Sequence, residues 1–280
     1  MWFYETLSQD KTAPRGDLMK TLSIFAMLAL LSTYSFAAEL KTLPEVDGNL
    51  SGITYSPDSD SYFLIQNNSG NVFEYKADFT RPLRVIHLQN LIDDDTEDIA
   101  YLGNNEFALS TESNQVLILK ILPGQTSIDA RESRAEVQLM QLPRPGKSNK
   151  GLEGVCYSKK QNLLFAVQEK KPKRIFQWPR PATMEDITSP DRLRLREPYD
   201  ADALLKHVMS DLSACHYDDA KDELVLLSHE SSRVMRVNLQ GQAVSTLDLP
   251  KEAPQYEGLT FGKNGEMVLV SEPNIVVIIK

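Results

Sequence analysis

The stretch Asn149-Lys150-Gly151-Leu152-Glu153-Gly154-Val155-Cys156-Tyr157 returns in degenerate form four more times along the chain. The copies are Leu50-Ser51-Gly52-Ile53-Thr54-Tyr55, Thr96-Glu97-Asp98-Ile99-Ala100-Tyr101, Leu212-Ser213-Ala214-Cys215-His216-Tyr217 and Tyr256-Glu257-Gly258-Leu259-Thr260-Phe261. Each carries a polar or acidic residue, then a small or acidic one, then an apolar one, and closes on an aromatic at a fixed offset. The closing aromatics stand at 55, 101, 157, 217 and 261, at spacings of 46, 56, 60 and 44 residues. Periods of that size indicate a propeller or a repeat array.

Behind each motif lies a second apolar run: 62–66, 106–110, 163–167, 223–227 and 266–270. A third follows at 72–75, 115–119, 174–177, 233–237 and 275–279, and fourth runs appear at 84–88, 136–142 and 243–249. All are short, rich in β-branched and aromatic residues, and bounded by Asn, Asp, Gly or Ser, which is the signature of strands. A four-stranded meander repeated about an axis is a propeller blade. The fifth copy stops at Lys280 after three strands, while Glu39-Leu40-Lys41-Thr42-Leu43-Pro44 looks like the fourth strands 137–143 and 245–250. The N-terminal strand is therefore expected to complete the last blade and close the ring, which leaves no long free edge.

The expected fold is all-β: a five-bladed β-propeller of four-stranded antiparallel blades, roughly 49 residues each, over residues 38–280. The fourth-strand signal fails between Trp178 and Ser210, where Pro179, Pro181 and Pro190 intervene and Asp200 to Val208 offers one or two helical turns. An insertion between blades three and four accounts for this, with a sixth, degenerate blade as the alternative.

Met19-Lys20 followed by the apolar run Leu22 to Leu31, with small residues at Ser35 and Ala37, fits a secretory signal cleaved before Ala38. Residues 1–18 then form an upstream extension. The alternative is an uncleaved membrane anchor, although ten or so apolar residues are short for a span of about 20. The net charge is −9, and residues 1–37 hold equal numbers of acids and bases, so the exported part keeps that charge. An acidic domain without a basic stripe excludes nucleic acid and suits divalent cations or cationic partners. The two cysteines, Cys156 and Cys215, sit one position out of register in successive motifs. Adjacent strand positions point to opposite faces, so two free, buried thiols are expected and no disulfide.

The first strand of each blade lines the axis, so the register places Ser51, Glu97, Glu153, Ser213 and Glu257 in one ring around the channel. Carboxylates facing one another at ~6 Å and an effective dielectric of ~20 repel by about 3 kcal/mol per pair. A cation would relieve that repulsion. Ca²⁺ takes six to eight oxygen ligands, whereas Zn²⁺ favours His and Cys, which the ring lacks; calcium is the expected cofactor. The alternatives are acids bonded to neighbouring backbone amides, or acids lying in water. A second set, Asn67, Glu112, Glu169, Glu230 and Glu272, follows the second strands and reads either as an acidic collar or, preferentially, as solvated loop ends.

Other patterns fail on inspection. Asp93-Asp94-Asp95-Thr96-Glu97-Asp98 lacks the glycine and terminal glutamate of an EF-hand, though Asp98 is a candidate extra ligand. Pro145-Gly146-Lys147-Ser148 lacks the first glycine of a phosphate loop. His87, His207, His216 and His229 show no metal-ligand spacing; His229 lies near the collar as a candidate base or, preferentially, as a loop histidine. Lys170, Lys171, Lys173 and Arg174 form a basic turn.

The blocks Leu50-Ser51-Gly52-Ile53-Thr54-Tyr55, Thr96-Glu97-Asp98, Lys150-Gly151-Leu152-Glu153-Gly154 and Tyr256-Glu257-Gly258-Leu259 resemble the SdiA-regulated, YjiK-like family of bacterial proteins over about residues 40–280. The resemblance implies a five-bladed propeller distantly similar to NHL-repeat proteins, with bound calcium. It also implies a place in the periplasm, or an inner-membrane anchor facing the periplasm, of a Gram-negative bacterium. It supplies no reaction. Glu97, Glu153 and Glu257 are the candidate calcium ligands, with Ser51 and Ser213 breaking the acidic pattern. The expected function is an exported calcium-binding propeller that presents one face to an unknown protein or small-molecule partner. A calcium-dependent hydrolase, phytase-like or lactonase-like with Glu230 or His229 as base, is the alternative.

Overall fold

The computed structural model describes residues 38–91, 93–131, 137–143, 151–183 and 185–280. The signal or anchor segment, Asn149, Lys150 and the run Pro145 to Ser148 lie outside these. Five sheets form a five-bladed propeller. Blade 1 contains β2 (Leu50–Ser56), β3 (Ser61–Gln66), β4 (Asn71–Tyr75) and β5 (Pro82–Gln89). Blade 2 contains β6 (Thr96–Gly103), β7 (Glu106–Thr111), β8 (Gln115–Lys120) and β10 (Val137–Gln141). The short β9 (Ser127–Asp129) leaves blade 2 and pairs in parallel with β5, an addition that the sequence pattern did not signal.

Blade 3 has β11 (Leu152–Ser158), β12 (Leu163–Gln168) and β13 (Arg174–Pro179). Its fourth strand is reduced to one antiparallel bridge between Gln177 and Arg196. Among the described residues between 180 and 213 there are also a parallel bridge from Ile187 to Met140 of blade 2, a 3-10 turn at Pro190–Leu193 and the short helix α1 (Ala201–Leu205), capped by Asp200 Oδ1 accepting from the Ala203 N–H at 3.0 Å. Blade 4 contains β14 (Ala214–Asp218), β15 (Glu223–Ser228), β16 (Arg233–Asn238) and β17 (Ala243–Asp248). Blade 5 contains β18 (Gln255–Phe261), β19 (Met267–Glu272) and β20 (Ile275–Ile279), and β1 (Ala38–Thr42) pairs antiparallel with β20 to complete it. The innermost strands touch in the order β2, β6, β11, β14, β18 and back to β2, which closes the ring.

The core is divided among the blade interfaces. Among the described residues there are five separate apolar clusters, each built from the facing sides of two neighbouring blades. Alternation along a strand therefore sends one residue to the blade before and the next to the blade after. In β3, Tyr62 and Leu64 face blade 5 while Phe63 and Ile65 face blade 2. Strands covered on both faces read as continuous apolar runs, which is why the second and third runs were visible in the sequence.

The same alternation overturns the expectation of free thiols. Val155 faces blade 2 and Cys156 faces blade 4, while Ala214 faces blade 5 and Cys215 faces blade 3. Two residues one position out of register point opposite ways on their own strands, and in stacked blades that makes them point at each other. Cys156 and Cys215 form a disulfide with a Cα–Cα distance of 5.7 Å.

Candidate metal centre

All five ring residues named from the register, Ser51, Glu97, Glu153, Ser213 and Glu257, line one cavity of about 210 Å³ on the axis. A shared backbone device puts them there. The ladder slips between Leu50 and Gly52, Thr96 and Asp98, Leu152 and Gly154, and Tyr256 and Gly258. Ser51, Glu97, Glu153 and Glu257 are thus each the extra residue of a β-bulge, which re-aims a side chain away from the alternating pattern. Ser213 enters β14 in the equivalent register, its N–H donating to the Leu227 carbonyl at 2.9 Å.

The small residue that follows each bulge has its own reason. A Cβ on Gly52 would meet Asp98 Cα at 2.6 Å, and one on Gly154 would meet Ala214 Cα at 2.8 Å. The strands form a waist here. Asp98 fills it from blade 2, its fully buried carboxylate accepting from the N–H groups of Ile99 at 2.8 Å and Val155 at 3.1 Å, and from Ile53. Asp98 thereby ties blades 1, 2 and 3 together and faces backbone amides, so the structure gives it a bracing role in place of the extra ligand position considered for it.

Several collar residues also reach the cavity. Asn67, Glu169 and Glu272 line it, and the carboxylate oxygens of Glu97, Glu112 and Glu153 lie within 4.8 Å of one another. Glu169 is only 6% exposed, so the reading of these positions as solvated loop ends fails there. Gly151 lets Glu112 come this close, since a Cβ on it would overlap the Glu112 carbonyl. Glu230 stays at the rim, paired with Lys170 Nζ at 2.6 Å, and the same ammonium reaches Glu169 at 2.7 Å.

The electrostatics are those of crowded acids. Burial, then the charges of Asp95, Glu112 and Glu257, push the Glu97 carboxyl up to about 9, against a hydrogen bond from Asn67 Nδ2 at 3.1 Å. Glu153 is driven well above the carboxylate range by burial and by Glu97, Glu112, Glu169 and Glu257. Burial raises Glu257 to about 7, with Gln255 and His229 pulling the other way. His229, which lines the cavity, is raised by the Asp211 carboxylate 3.0 Å from its Nδ1, with burial opposing.

The donor set suits a hard cation. It is rich in oxygen, and Asn67 Oδ1 is buried there without a hydrogen-bond partner. Ser213 Oγ donates its proton to the Tyr256 carbonyl at 2.9 Å and keeps its lone pairs.

Four residues beyond the ring, across the waist, the same strands open a second cavity of about 270 Å³. The five closing aromatics, Tyr55, Tyr101, Tyr157, Tyr217 and Phe261, surround it above a floor of Ile53, Ile99, Val155, Leu259 and the disulfide. Its tyrosine hydroxyls are engaged: Tyr55 and Tyr217 donate to Asp60 at 2.7 Å and Asp222 at 2.6 Å, and Tyr101 donates to Asp58.

The SdiA-regulated family profile matches residues 27–280. The chain belongs to the SdiA-regulated family. Among solved structures, this family member is similar to a calcium-binding protein, regucalcin, from Agrobacterium tumefaciens (11% identity, TM-score 0.53, covering 88% of this chain and 95% of that one). It is also similar to a luciferin-regenerating enzyme (12% identity, TM-score 0.52, 87% and 97%). A streptogramin B lyase matches at 17% identity and a TM-score of 0.49, over 84% of this chain and 66% of that one. At these identities the likeness to the first two is one of propeller fold.

Proposed function

We propose that this SdiA-regulated family member is an exported propeller that holds a calcium ion on its axis and presents the loops around that cavity to a protein or small-molecule partner. The observation that carries the reading is the meeting of the Glu97, Glu112 and Glu153 carboxylates within 4.8 Å inside a closed ring. Three such groups repel unless a cation or protons neutralise them. With Asn67 Oδ1, Ser51 and water, they offer the six to eight oxygen ligands that Ca²⁺ takes. Calcium would supply charge neutralisation, and the bulged strands would hold its ligands on separate blades. The Cys156–Cys215 disulfide supports export to an oxidising compartment, in keeping with a periplasmic or periplasm-facing, inner-membrane-anchored location.

The test is thermal unfolding of the chelator-treated protein, repeated in millimolar calcium. Calcium at 100 times its dissociation constant stabilises by about 2.7 kcal/mol, so the midpoint rises. Glu97→Gln and Glu153→Gln abolish the rise and stabilise the metal-free protein by removing repulsion. An unchanged midpoint in the parent protein, with no calcium retained, overturns the reading.

Hydrolysis is the second reading, favoured by one observation: Asp211 orients His229 at the cavity wall. Turnover of phosphoesters or lactones that requires both calcium and His229 would establish it.

A further inference from the structure

The residue just before each closing aromatic, Thr54, Ala100, Cys156, His216 or Thr260, faces the following blade and lines the cavity at the aromatic end. Ala100 packs between blades 2 and 3, and Cys156 meets the Cys215 sulfur on blade 4. Thr54 Oγ1 accepts from the Tyr101 N–H at 3.0 Å, and Thr260 Oγ1 accepts from the Tyr55 N–H at 3.3 Å. His216 sets its imidazole against the Phe261 ring, with centroids 5.1 Å apart. This tier of the cavity is therefore polar along blades 4, 5 and 1 and apolar along blades 2 and 3.

The polar arc has hydrogen-bonding capacity that the protein leaves unused. A hydroxyl donates as well as accepts, yet neither threonine donates to any described residue. Thr54 is 7% exposed and Thr260 1%, and a buried donor without an acceptor costs free energy. The imidazole nitrogens of His216 also have no hydrogen-bond partner among the described residues. Burial holds that group down to about 4, so at neutral pH it offers one donor and one acceptor. The other polar groups are committed elsewhere. The hydroxyls of Tyr55, Tyr101, Tyr157 and Tyr217 donate to Asp60, Asp58, Asn162 and Asp222, and Asp219 accepts from Ser158 Oγ at 2.7 Å and the Lys159 N–H at 3.0 Å. Lys159, the cation among the lining residues, is exposed.

We propose that this cavity binds a small, uncharged, flat ring compound with hydrogen-bond acceptors along one edge, held toward Thr54, His216 and Thr260. An apolar cavity of about 150 Å³ already takes benzene, so the 270 Å³ here has room for a substituted ring. A charged compound would lose its water without a buried counter-charge to meet it. The disulfide and the tyrosine hydroxyl bonds hold the walls, so the site is preformed. It uses no residue of the acidic ring and does not depend on the calcium reading.

The experiment titrates the full chain, disulfide intact, with nicotinamide at neutral pH, and with nicotinate as an anionic probe of the same shape. NMR follows the carbon-bound imidazole protons of His216, assigned by their absence in His216→Phe, together with the probe's own signals. Nicotinamide is expected to move the His216 signal saturably in the millimolar range, and nicotinate to bind at least about tenfold more weakly. Thr260→Val weakens nicotinamide by about fivefold, as for one lost hydrogen bond, whereas Thr260→Ser keeps the hydroxyl and stays within about twofold of the parent. His216→Phe leaves the backbone bonds in place, weakens binding by a similar factor, and serves if Thr260→Val does not fold. Binding persists in Glu97→Gln. No saturable shift up to tens of millimolar, nicotinate binding as tightly as nicotinamide, or parental affinity in Thr260→Val and His216→Phe overturns the proposal. Failure here with the calcium response intact sinks this site alone; loss of the calcium response with nicotinamide still bound sinks the calcium reading alone.

Discussion

The two ends of the axis are built from the same five strands, four residues apart, and have opposite chemistry. At one end the bulged positions carry Glu97, Glu153 and Glu257, crowded and strongly repelling. At the other stand Phe261 and four tyrosines whose hydroxyls are already satisfied by neighbouring turns. The difference lies in the backbone. A bulge points a side chain along the axis where a regular strand would pack it between blades, so it can carry charge without losing core. Regular positions beyond the waist alternate between axis and blade interface, and most that line the cavity there are apolar or aromatic, with Thr54, His216 and Thr260 as polar exceptions. The acidic end is thus open to change by a ligand, while the aromatic end fixes the geometry.

Breaking the aromatic end should have the largest effect. Cys215→Ala opens a loop with a sequence separation of 59, and the loss of chain restriction in the unfolded state costs about 4 kcal/mol. Denaturant unfolding with and without reductant measures it. The calcium increment should survive, because the bulges and Asp98 hold the ring glutamates; its disappearance would show that the two ends are coupled.

A pH series sharpens the contrast with a smaller effect. Glu257 and Glu97 rise from 4.5 to about 7 and about 9 in the folded protein. The folded state therefore binds more protons than the unfolded state between those values, and stability falls as pH climbs. Metal-free protein should be most stable near or below pH 4.5, as far as these groups decide, and should lose stability stepwise through 7 and 9. Calcium, which needs the carboxylates ionised, should remove that loss. The aromatic end acts with the opposite sign and only at the acid edge: burial lowers the His216 imidazole from 6.5 to about 4, so the unfolded state binds its proton first and stability rises with pH up to about 6.5, above which His216 contributes nothing. Thermal midpoints from pH 5 to 9, in chelator and in calcium, check the sign.

Tyr55→Phe should do least. It removes one partly exposed hydrogen bond to Asp60 at 2.7 Å, worth about 1 kcal/mol or less, and should leave metal binding untouched. A change in calcium affinity from this substitution would contradict the separation of the two ends.

Much of this was legible in the sequence. The repeat announced the blades because strands buried on both faces are continuous apolar runs, and the strand 39–44 betrayed the closure by its likeness to the other fourth strands. The ring at Ser51, Glu97, Glu153, Ser213 and Glu257 followed from register alone. What stayed hidden depends on how separate blades approach one another. The disulfide was misjudged because parity was applied within one sheet, whereas Cys156 and Cys215 meet across two. Glu112 and Glu169 looked like loop ends; Glu112 is drawn in by the close backbone passage at Gly151, while Glu169 is buried against the cavity. His229 has no ligand spacing in the chain, and its partner Asp211 lies just before the fourth motif, where the acidic signal had weakened to Ser213.

The pairing of β1 with β20 joins Ala38 to Ile279. The two halves of that clasp are separated by the rest of the propeller sequence, and a chain emerges N-terminus first. The circle stays open until β20 is available to pair with β1. The propeller is then completed by a single long-range docking event, and the acidic ring, with Glu257 as its last member in the chain, is closed by that same event.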